Sequence, residues 1–381
     1  MNILLVEPFL GGSHRAFIDG LRKHSSHKIY TVTMKGSFWK WRMSGGSVTL
    51  AEKTQAIPEK IDLVLASSMT NLPAFIALTN PRFANTPIVL YMHENQLTQP
   101  VPGSEERDTT YCYINYLSVL AADYVFFNSE FHKKTFLDAL PGFLVQFPDY
   151  HQSESIARIA TKSDLLYPGL DLKIFDIAIE KRKKRSPNDR PVIVWNQRWS
   201  FDKDPEKFFR VIDKLDDSEC VFDLILAGDP QHEESERFEQ AWKRYGSRIL
   251  HYGFVEDSQQ YGNLLQKGDF VVSTAMHEFF CTAIMEAVYC GCHPVLPRKL
   301  TYPELIPKTL HDPLLHGPVF YDDETDLFRK MKSLLDGHNK RLPLETLQSI
   351  NLQLDWTRHI SRYDQIMLDI KTDYPRRQTE K

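Results

Sequence analysis

The chain has no apolar run of about 18 residues or more, so no segment of it reads as a membrane-spanning helix. It has no G-x-G-x-x-G after its first strand-like segment, which sets dinucleotide binding aside. Positive charge is not in excess: 46 Lys and Arg stand against 50 Asp and Glu, for a net charge of −4. A global basic field for nucleic acid is therefore absent, while a local basic surface stays open. Cysteine is scarce and odd in number, with five residues at Cys112, Cys220, Cys281, Cys290 and Cys292. The chain opens on an apolar run, Asn2 to Val6, with no basic n-region before it. The expectation is reduced thiols and a cytoplasmic protein. Cys290-Gly291-Cys292-His293 lacks zinc-knuckle spacing and has no second pair. It reads as a helix ending at Gly291 beside two small buried thiols. No internal repeat and no low-complexity tract is present.

What is present is enough for two domains: 381 residues, 42% apolar and 25% charged, the balance of a globular protein. Ile3 to Val6 reads as a buried parallel strand. Further strands are expected at Lys28 to Thr33, Ile61 to Ala66, Ile88 to Met92, Tyr124 to Asn128 and Asp164 to Tyr167, with helical patterns at Asp108 to Ala122 and Glu130 to Leu140. Lys35 to Thr54, rich in Gly, Ser and Trp, reads as a long loop. A second series has strands at Val192 to Asn196, Phe222 to Ala227, Ile249 to Tyr252, Phe270 to Thr274, His293 to Leu296 and Val319 to Tyr321. Its helices start near Pro205, Glu233, Ser258 and Phe279. Strands alternating with helices predict an α/β protein with two doubly wound parallel sheets, facing each other across a cleft. The expected division is a domain over 1–175, a charged linker over 176–190, a domain over 191–352, and a terminal helix and tail over 353–381.

Chemistry concentrates where strands end. After the strand ending at Val272, a loop leads to a helix expected near Phe279, with Glu278 at its start and Glu286 eight residues on. On one continuous helix, eight steps of about 100° return to within about 80° of the starting face. The helix start offers free N–H groups to a phosphate, and carboxylates beside it grip hydroxyls. A phosphate between two polyols describes a sugar nucleotide. Arg198 and Lys203 follow the first strand of the second series; they read either as phosphate-binding cations or as solvated surface charges. Asp202-Lys203-Asp204 has the Asp-x-Asp form of a metal-dependent transferase, but Asp204 before Pro205 reads better as a helix N-cap. No metal ligand set is expected, and no cofactor.

In the first series, Gly11-Gly12-Ser13-His14 reads as a close backbone approach to a ligand or as a plain turn. His93-Glu94-Asn95-Gln96 reads as a polar cluster able to deliver protons to a hydroxyl, or as a satisfied turn. Glu106-Arg107-Asp108 reads as an acceptor contact or as a capped helix start. The basic run Lys181 to Arg185 reads as a solvated linker or as a contact for RNA phosphates.

Arg198 with Lys203, and Glu278-x7-Glu286, resemble the retaining GT-B glycosyltransferases of family 4. Over nearly the whole chain, Gly11-Gly12-Ser13-His14, Tyr91 to Leu97, Glu106-Arg107-Asp108, Phe127-Asn128-Ser129, Arg198-Trp199, Asp202 to Glu206, His277 to Phe280 and Glu286 to Cys292 resemble the tRNA-queuosine α-mannosyltransferase family. Two departures are Cys281, where the family usually has glycine, and the absence of a long polar insert between the domains.

The resemblance implies a GT-B fold whose terminal helix crosses back to the first domain. It implies retaining, metal-independent transfer of mannose from GDP-mannose to the cyclopentene-diol of queuosine in a tRNA-Asp-type anticodon. His93, Arg198, Lys203 and Glu278 are the implied catalytic residues. The donor would lie against Gly12, Arg198, Lys203, Phe279, Phe280, Cys281, Thr282 and Glu286. The acceptor would lie against Gly11, Ser13, His14, Glu94, Asn95, Gln96, Arg107 and Asp108. Three rival readings stand beside it. One is a transferase of the same fold using another nucleotide sugar or a lipid or polysaccharide acceptor, for which Lys35 to Arg42 with Trp39 and Trp41 is the candidate contact. The others are an RNA-binding module without catalysis and a sugar-phosphate isomerase or epimerase. The sequence leaves the oligomeric state open.

Overall fold

The computed structural model describes residues 1–103, 105–184, 190–229 and 235–379. The chain divides into two compact units, one of Met1–Leu170 with Trp356–Lys381, the other of Asp171–Asp355. Each is built on a six-stranded parallel sheet.

The first sheet contains β1 (Asn2–Leu10), β2 (Lys28–Lys35), β3 (Leu63–Ser67), β4 (Ile88–Met92), β5 (Tyr124–Phe127) and β6 (Ser163–Leu165), in the order β2-β1-β3-β4-β5-β6. Alternate residues of β1 divide between two cores. Leu4 and Val6 pack with Val64, Leu90 and Phe127, and Ile3 and Leu5 pack on the other face with Phe17, Leu21 and Trp356. Each such side chain contributes roughly 1.5–3 kcal/mol by leaving water. The second core needs the helix Trp356–Thr379, because Trp356 and Tyr363 complete it. A Cβ on Gly20 would come within 1.9 Å of the Trp356 ring, and one on Gly169 within 2.2 Å. Both positions therefore accept only glycine as placed. The terminal helix is also tied by the Tyr363 hydroxyl, which donates to the Tyr167 carbonyl at 2.7 Å.

The second sheet contains β7 (Val192–Trp195), β8 (Asp223–Ala227), β9 (Ile249–Gly253), β10 (Phe270–Val272), β11 (His293–Pro297) and β12 (Phe320–Tyr321), in the order β12-β11-β10-β7-β8-β9. Ile193, Trp195, Leu224, Leu226, Phe270 and Val272 point to one core with Trp199, Phe208 and Phe238. In each sheet the strand order reverses beside the first strand, between β1 and β3 and between β7 and β10. At such a reversal neighbouring loops leave in opposite directions and open a crevice at the carboxyl ends of the strands.

Three expectations change. Lys35 to Thr54 is not a loop: Trp39–Thr54 is a helix that buries Met43, Gly46, Ser47, Leu50, Ala51 and Thr54. That spacing is an inward stripe, and its burial outweighs a glycine cost of about 1 kcal/mol per residue. The charged stretch at 176–190 is not all linker either. Asp176–Lys183 is a helix of the second unit with Ala178 and Ile179 buried. The Arg182 guanidinium donates to the carbonyls of Gln266 at 2.8 Å and Gly268 at 2.6 Å, an anchorage that a count of charges hides. Residues 185–189, with Arg185 and Ser186-Pro187-Asn188 of the expected linker, lie outside the described residues, as does Glu233. The third change concerns the helix after β10 and belongs with the site.

The five cysteines are all buried, and none is in a disulfide. Gly291 ends the helix before β11 with φ +101°. Among the described residues no helix is long and apolar enough to cross a membrane.

Candidate functional site

In the second unit the chemistry gathers at the reversal between β7 and β10. After β7 the chain runs through Asn196, Gln197 and Arg198 into a 3-10 turn, Phe201–Lys203. Asp204 then caps the next helix, its side chain accepting from the Lys207 N–H at 3.0 Å, with Pro205 in the first turn. The loop after β10 is tied to this turn. The Met276 N–H donates to the Asp202 carbonyl at 2.9 Å, and the Thr274 hydroxyl donates to the Lys203 carbonyl at 2.8 Å.

These ties bring Lys203 and Glu278 together. The Lys203 ammonium lies 2.8 Å from Asp202 Oδ2 and 3.1 Å from Glu278 Oε2, and it donates to the His277 carbonyl at 3.0 Å. Burial pulls the ammonium down, but Glu278 and Asp202 outweigh it and hold Lys203 above the ordinary lysine value. Burial pushes the Asp202 carboxyl up, and Lys203 and Arg198 more than reverse this, so Asp202 sits below its usual range. Arg198 is different: its side chain is 62% exposed and its nearest carboxylate oxygen, on Asp202, is 3.7 Å away. It keeps most of its donors for a ligand.

The helix that follows is Thr282–Tyr289, with Cys281 as its N-cap. It starts three residues later than the sequence suggests, so Glu278 stands on the loop and the helical geometry drawn between the two glutamates does not apply. The local cause is the bond network above, which holds residues 276 and 277 on Asp202 and leaves a turn in which the Phe280 N–H faces Glu278 Oε1 at 3.4 Å. The first N–H groups of the helix, from Thr282 on, lack intrahelical acceptors and form the positive end of its dipole. Phe279 and Cys281 are buried beside them, and Phe280 is half-buried. Burial drives the Cys281 thiol well above its ordinary value. Glu286 lies on this helix with no cation as partner among the described residues, and burial pushes its carboxyl up to about 8. Asn196 holds the helix start, donating to the Ala283 carbonyl at 2.6 Å and the Tyr261 hydroxyl at 2.8 Å.

In the first unit the reversal between β1 and β3 carries a buried polar cluster. Strand β1 continues to Leu10, past the expected end, and buries Glu7 completely. Gly12, at φ +48°, then opens the helix Gly12–His24, which carries the exposed Ser13 and the buried His14. His14 meets a carboxylate with each ring nitrogen: Nδ1 to Glu7 at 2.8 Å and Nε2 to Glu94 at 2.8 Å. Burial lowers its pKa, and the two carboxylates overcome this, holding the ring as an imidazolium well above the ordinary histidine value. The Ser68 hydroxyl donates to the other oxygen of Glu94 at 2.8 Å. Burial raises the Glu94 carboxyl, yet the charge and hydrogen bond of His14 bring it down to about 2.

His93 packs against this cluster, its ring centroid 4.2 Å from that of His14 and tilted by 34°. Burial first, and then the positive charge of His14, hold it well below its ordinary pKa, so it is neutral. Asn128 fixes its backbone, donating to the His93 carbonyl at 2.7 Å. Among the described residues no hydrogen bond reaches either ring nitrogen of His93. A neutral imidazole so placed has one donor and one acceptor to offer a hydroxyl.

Not every expected site residue lies free for a ligand. Asn95 is buried in a turn with Thr98, whose N–H it accepts at 2.8 Å. Gln96 uses its backbone, N–H to Asn115 at 2.7 Å and carbonyl to Arg107 at 2.5 Å. Asp108 caps the helix Thr109–Ala121. Gly11, Gly12, Ser13, His14, His93 and Glu94 are brought together in the first unit. Arg198, Lys203, Glu278, Phe279, Phe280, Cys281, Thr282 and Glu286 are brought together in the second. Glu7, Ser68, Asp202 and Asn196 were not singled out as site residues from the sequence. Glu7 carried a readable signal: a carboxylate between the apolar runs Ile3 to Val6 and Phe9-Leu10. Ser68 and Asn196 carried none beyond following a strand.

Glu7, His14 and His93 form a group whose ligand atoms lie within 4.8 Å of one another, compact enough for a metal ion. His14 already spends both nitrogens on carboxylates, so a metal there has to displace an imidazolium held by two charge-assisted bonds.

A family model described as tRNA-queuosine alpha-mannosyltransferase N-terminal matches residues 2–170, and one described as Glycosyl transferases group 1 matches residues 176–344. The tRNA-queuosine alpha-mannosyltransferase of Drosophila melanogaster is 36% identical over 317 residues, covering 81% of this chain and 82% of that protein. Among solved structures, the catalytic domain of starch synthase IV from Arabidopsis thaliana, bound to ADP and acarbose, aligns with a TM-score of 0.72 at 10% identity, covering 97% of this chain and 99% of its own. HepE from Anabaena in complex with UDP aligns with a TM-score of 0.66 at 16% identity, covering 97% and 100%. These structural likenesses speak for the GT-B fold.

Proposed function

The chain belongs to the tRNA-queuosine α-mannosyltransferase family, and on that premise we propose that it moves mannose from GDP-mannose to a cyclopentene-diol hydroxyl of queuosine in tRNA, with retention of configuration. The observation that carries the chemistry is the contact of Lys203 with Glu278 beside Arg198 and the free end of the helix Thr282–Tyr289. In the reaction the bond between the anomeric carbon and the diphosphate oxygen breaks, and its electron pair goes to the diphosphate. The acceptor oxygen bonds to that carbon from the same face, and its proton passes to the departing phosphate oxygen. Negative charge thus grows on the diphosphate, and fixed positive groups that need no reorganisation stabilise that growth most. Arg198, Lys203 and the helix N–H groups supply it without a metal ion.

Glu278, oriented by Lys203, accepts hydroxyls of the transferred sugar. Glu286 accepts hydroxyls of the ribose. His93, neutral and with neither ring nitrogen hydrogen-bonded among the described residues, addresses a reacting hydroxyl, and burial together with the charge of His14 keeps it neutral. We place the activity in the cytoplasm, a compartment that keeps thiols such as the five buried here reduced.

The test incubates the protein with queuosine-containing tRNA and a panel of nucleotide sugars, then weighs the digested nucleosides. A gain of one hexose on queuosine with GDP-mannose alone is the expected result. A gain with a different nucleotide sugar replaces the donor, and no gain with any of them removes the acceptor.

A further inference from the structure

The helix Trp39–Thr54 and the turn before it present two aromatic rings to solvent. Phe38 is 78% exposed and Trp41 is 62% exposed, although large aromatics ordinarily bury their rings. Neither is loose. Phe38 stands at the helix N-cap with φ 55°, in the left-handed region, which fixes where its side chain leaves the backbone. Trp41 lies flat on its own helix: a Cβ on Gly45 would come within 2.8 Å of its ring. Glycine inside a helix costs about 1 kcal/mol, and here it makes room for the indole to lie down with one face covered and the other open.

Cations frame the rings. Lys35, Lys40 and Arg42 fall within eight residues, and no carboxylate occurs from Lys35 to Ala51. Lys35 and Lys40 are exposed. The Arg42 Nε donates to the Lys35 carbonyl at 3.2 Å and so closes the turn on itself. Trp39 faces inward against Tyr111 at 5.0 Å between ring centroids and anchors the helix start. This turn rests on the Gly11 backbone, since a Cβ on Gly36 would stand 3.0 Å from Gly11 Cα. It therefore adjoins the segment that leads to His14, whose ring faces His93.

From these placements we infer that Phe38 and Trp41 are a stacking platform for unpaired bases of the acceptor RNA, with Lys35, Lys40 and Arg42 meeting its phosphates. The inference rests on the tRNA reading given above. A modified nucleoside held for reaction leaves its loop neighbours unstacked, and open aromatic faces flanked by cations are what single-stranded RNA binds. A lipid surface fits less well. Adsorption to a bilayer needs a broad apolar helix face, whereas the outward row here is Lys40, Ser44, Val48 and Glu52.

The test titrates a fluorescent anticodon stem–loop, with and without queuosine, into wild-type protein, Trp41→Ala and Trp41→Phe. The alanine variant is expected to bind both RNAs about tenfold more weakly, and the phenylalanine variant to keep most of the affinity. The KM for tRNA rises by the same factor in Trp41→Ala, while the KM for GDP-mannose stays unchanged. Lys40→Ala flattens the dependence of affinity on salt. Unchanged RNA binding by Trp41→Ala overturns the inference. So does loss of binding to phosphatidylglycerol vesicles with RNA binding intact. Hexose transfer, weighed separately, keeps the two readings apart: Trp41-dependent RNA binding without transfer sinks the proposed reaction and leaves the platform. Transfer with RNA binding indifferent to Trp41 does the reverse.

Discussion

His14 and His93 stand ring against ring, 4.2 Å between centroids, and hold opposite charge states: His14 protonated between two carboxylates, His93 neutral against it. The charge on one is part of the reason the other has none.

Replacing His14 by alanine strands the fully buried Glu7 carboxylate, and breaking such a pair costs about 3–5 kcal/mol. His14 binds its proton more tightly in the folded state. Its contribution is therefore whole below about pH 6.5 and declines as pH rises toward its raised folded value. Glu94 behaves oppositely: its contribution is present above the ordinary glutamate value of 4.5 and is lost as pH falls to about 2. Urea unfolding of wild type and His14→Ala at pH 6 and pH 9 checks this. An equal loss at both values removes the imidazolium from the account.

His93→Ala is expected to lower kcat by about a hundredfold, the scale of losing one preorganised hydrogen-bonding group at the reacting atoms. Because the His93 proton leaves well below pH 6.5, the wild-type kcat/KM profile carries no step there. A protonation step near 6.5 that vanishes in His93→Ala contradicts a neutral His93.

Lys203→Ala removes a phosphate cation and also leaves Asp202 and Glu278 without their shared partner. Turnover is expected to fall about 10²–10³-fold, with a lower melting temperature. Lys203→Met combined with Glu278→Gln removes the stranded charge of Glu278 but not that of Asp202, so it recovers part of the stability and stays inactive. A double variant that regains turnover dissociates the pair from catalysis.

Glu286 holds a proton up to about pH 8 in the free protein. Hydroxyl donors favour the ionised carboxylate, so binding of GDP-mannose at pH 7 should release close to one proton. Calorimetry in buffers of differing ionisation enthalpy measures it, and Glu286→Gln abolishes it. The raised carboxyl also lowers stability progressively from about pH 4.5 to 8, so melting of Glu286→Gln should exceed wild type by a margin that widens over that range and is flat above it. Proton uptake, or none, withdraws Glu286 from the ribose.

All five thiols are buried, and burial raises Cys281 strongly, so iodoacetamide at pH 8 should label them only after denaturant is added. Rapid labelling of the native protein opposes that placement.

The strands were legible because buried parallel strands are short apolar runs between turn residues; Ile88–Met92 matches the sequence reading residue for residue. The helix Trp39–Thr54 was hidden by its glycines, of which Gly45 makes room for the Trp41 ring and Gly46 packs against Pro8 and Met34. Glu278 and Lys203 were legible as candidates from their places after strands. Their contact was not, since it depends on bonds from Met276 and Thr274 to a turn some seventy residues earlier in the chain. Glu7 was passed over because a strand was expected to end where its apolar run ends.

Trp356 fills the notch over Gly20 and Gly169 from a helix that follows the whole second unit in chain order. During synthesis the ribosome therefore exposes an N-terminal half whose interior still lacks its plug, while the middle of the polypeptide is able to finish on its own. The opening strands must wait, shielded by chaperones or by their own provisional collapse, until translation reaches residue 356. A nonsense codon just before that point leaves the middle whole, and the half made first stays incomplete.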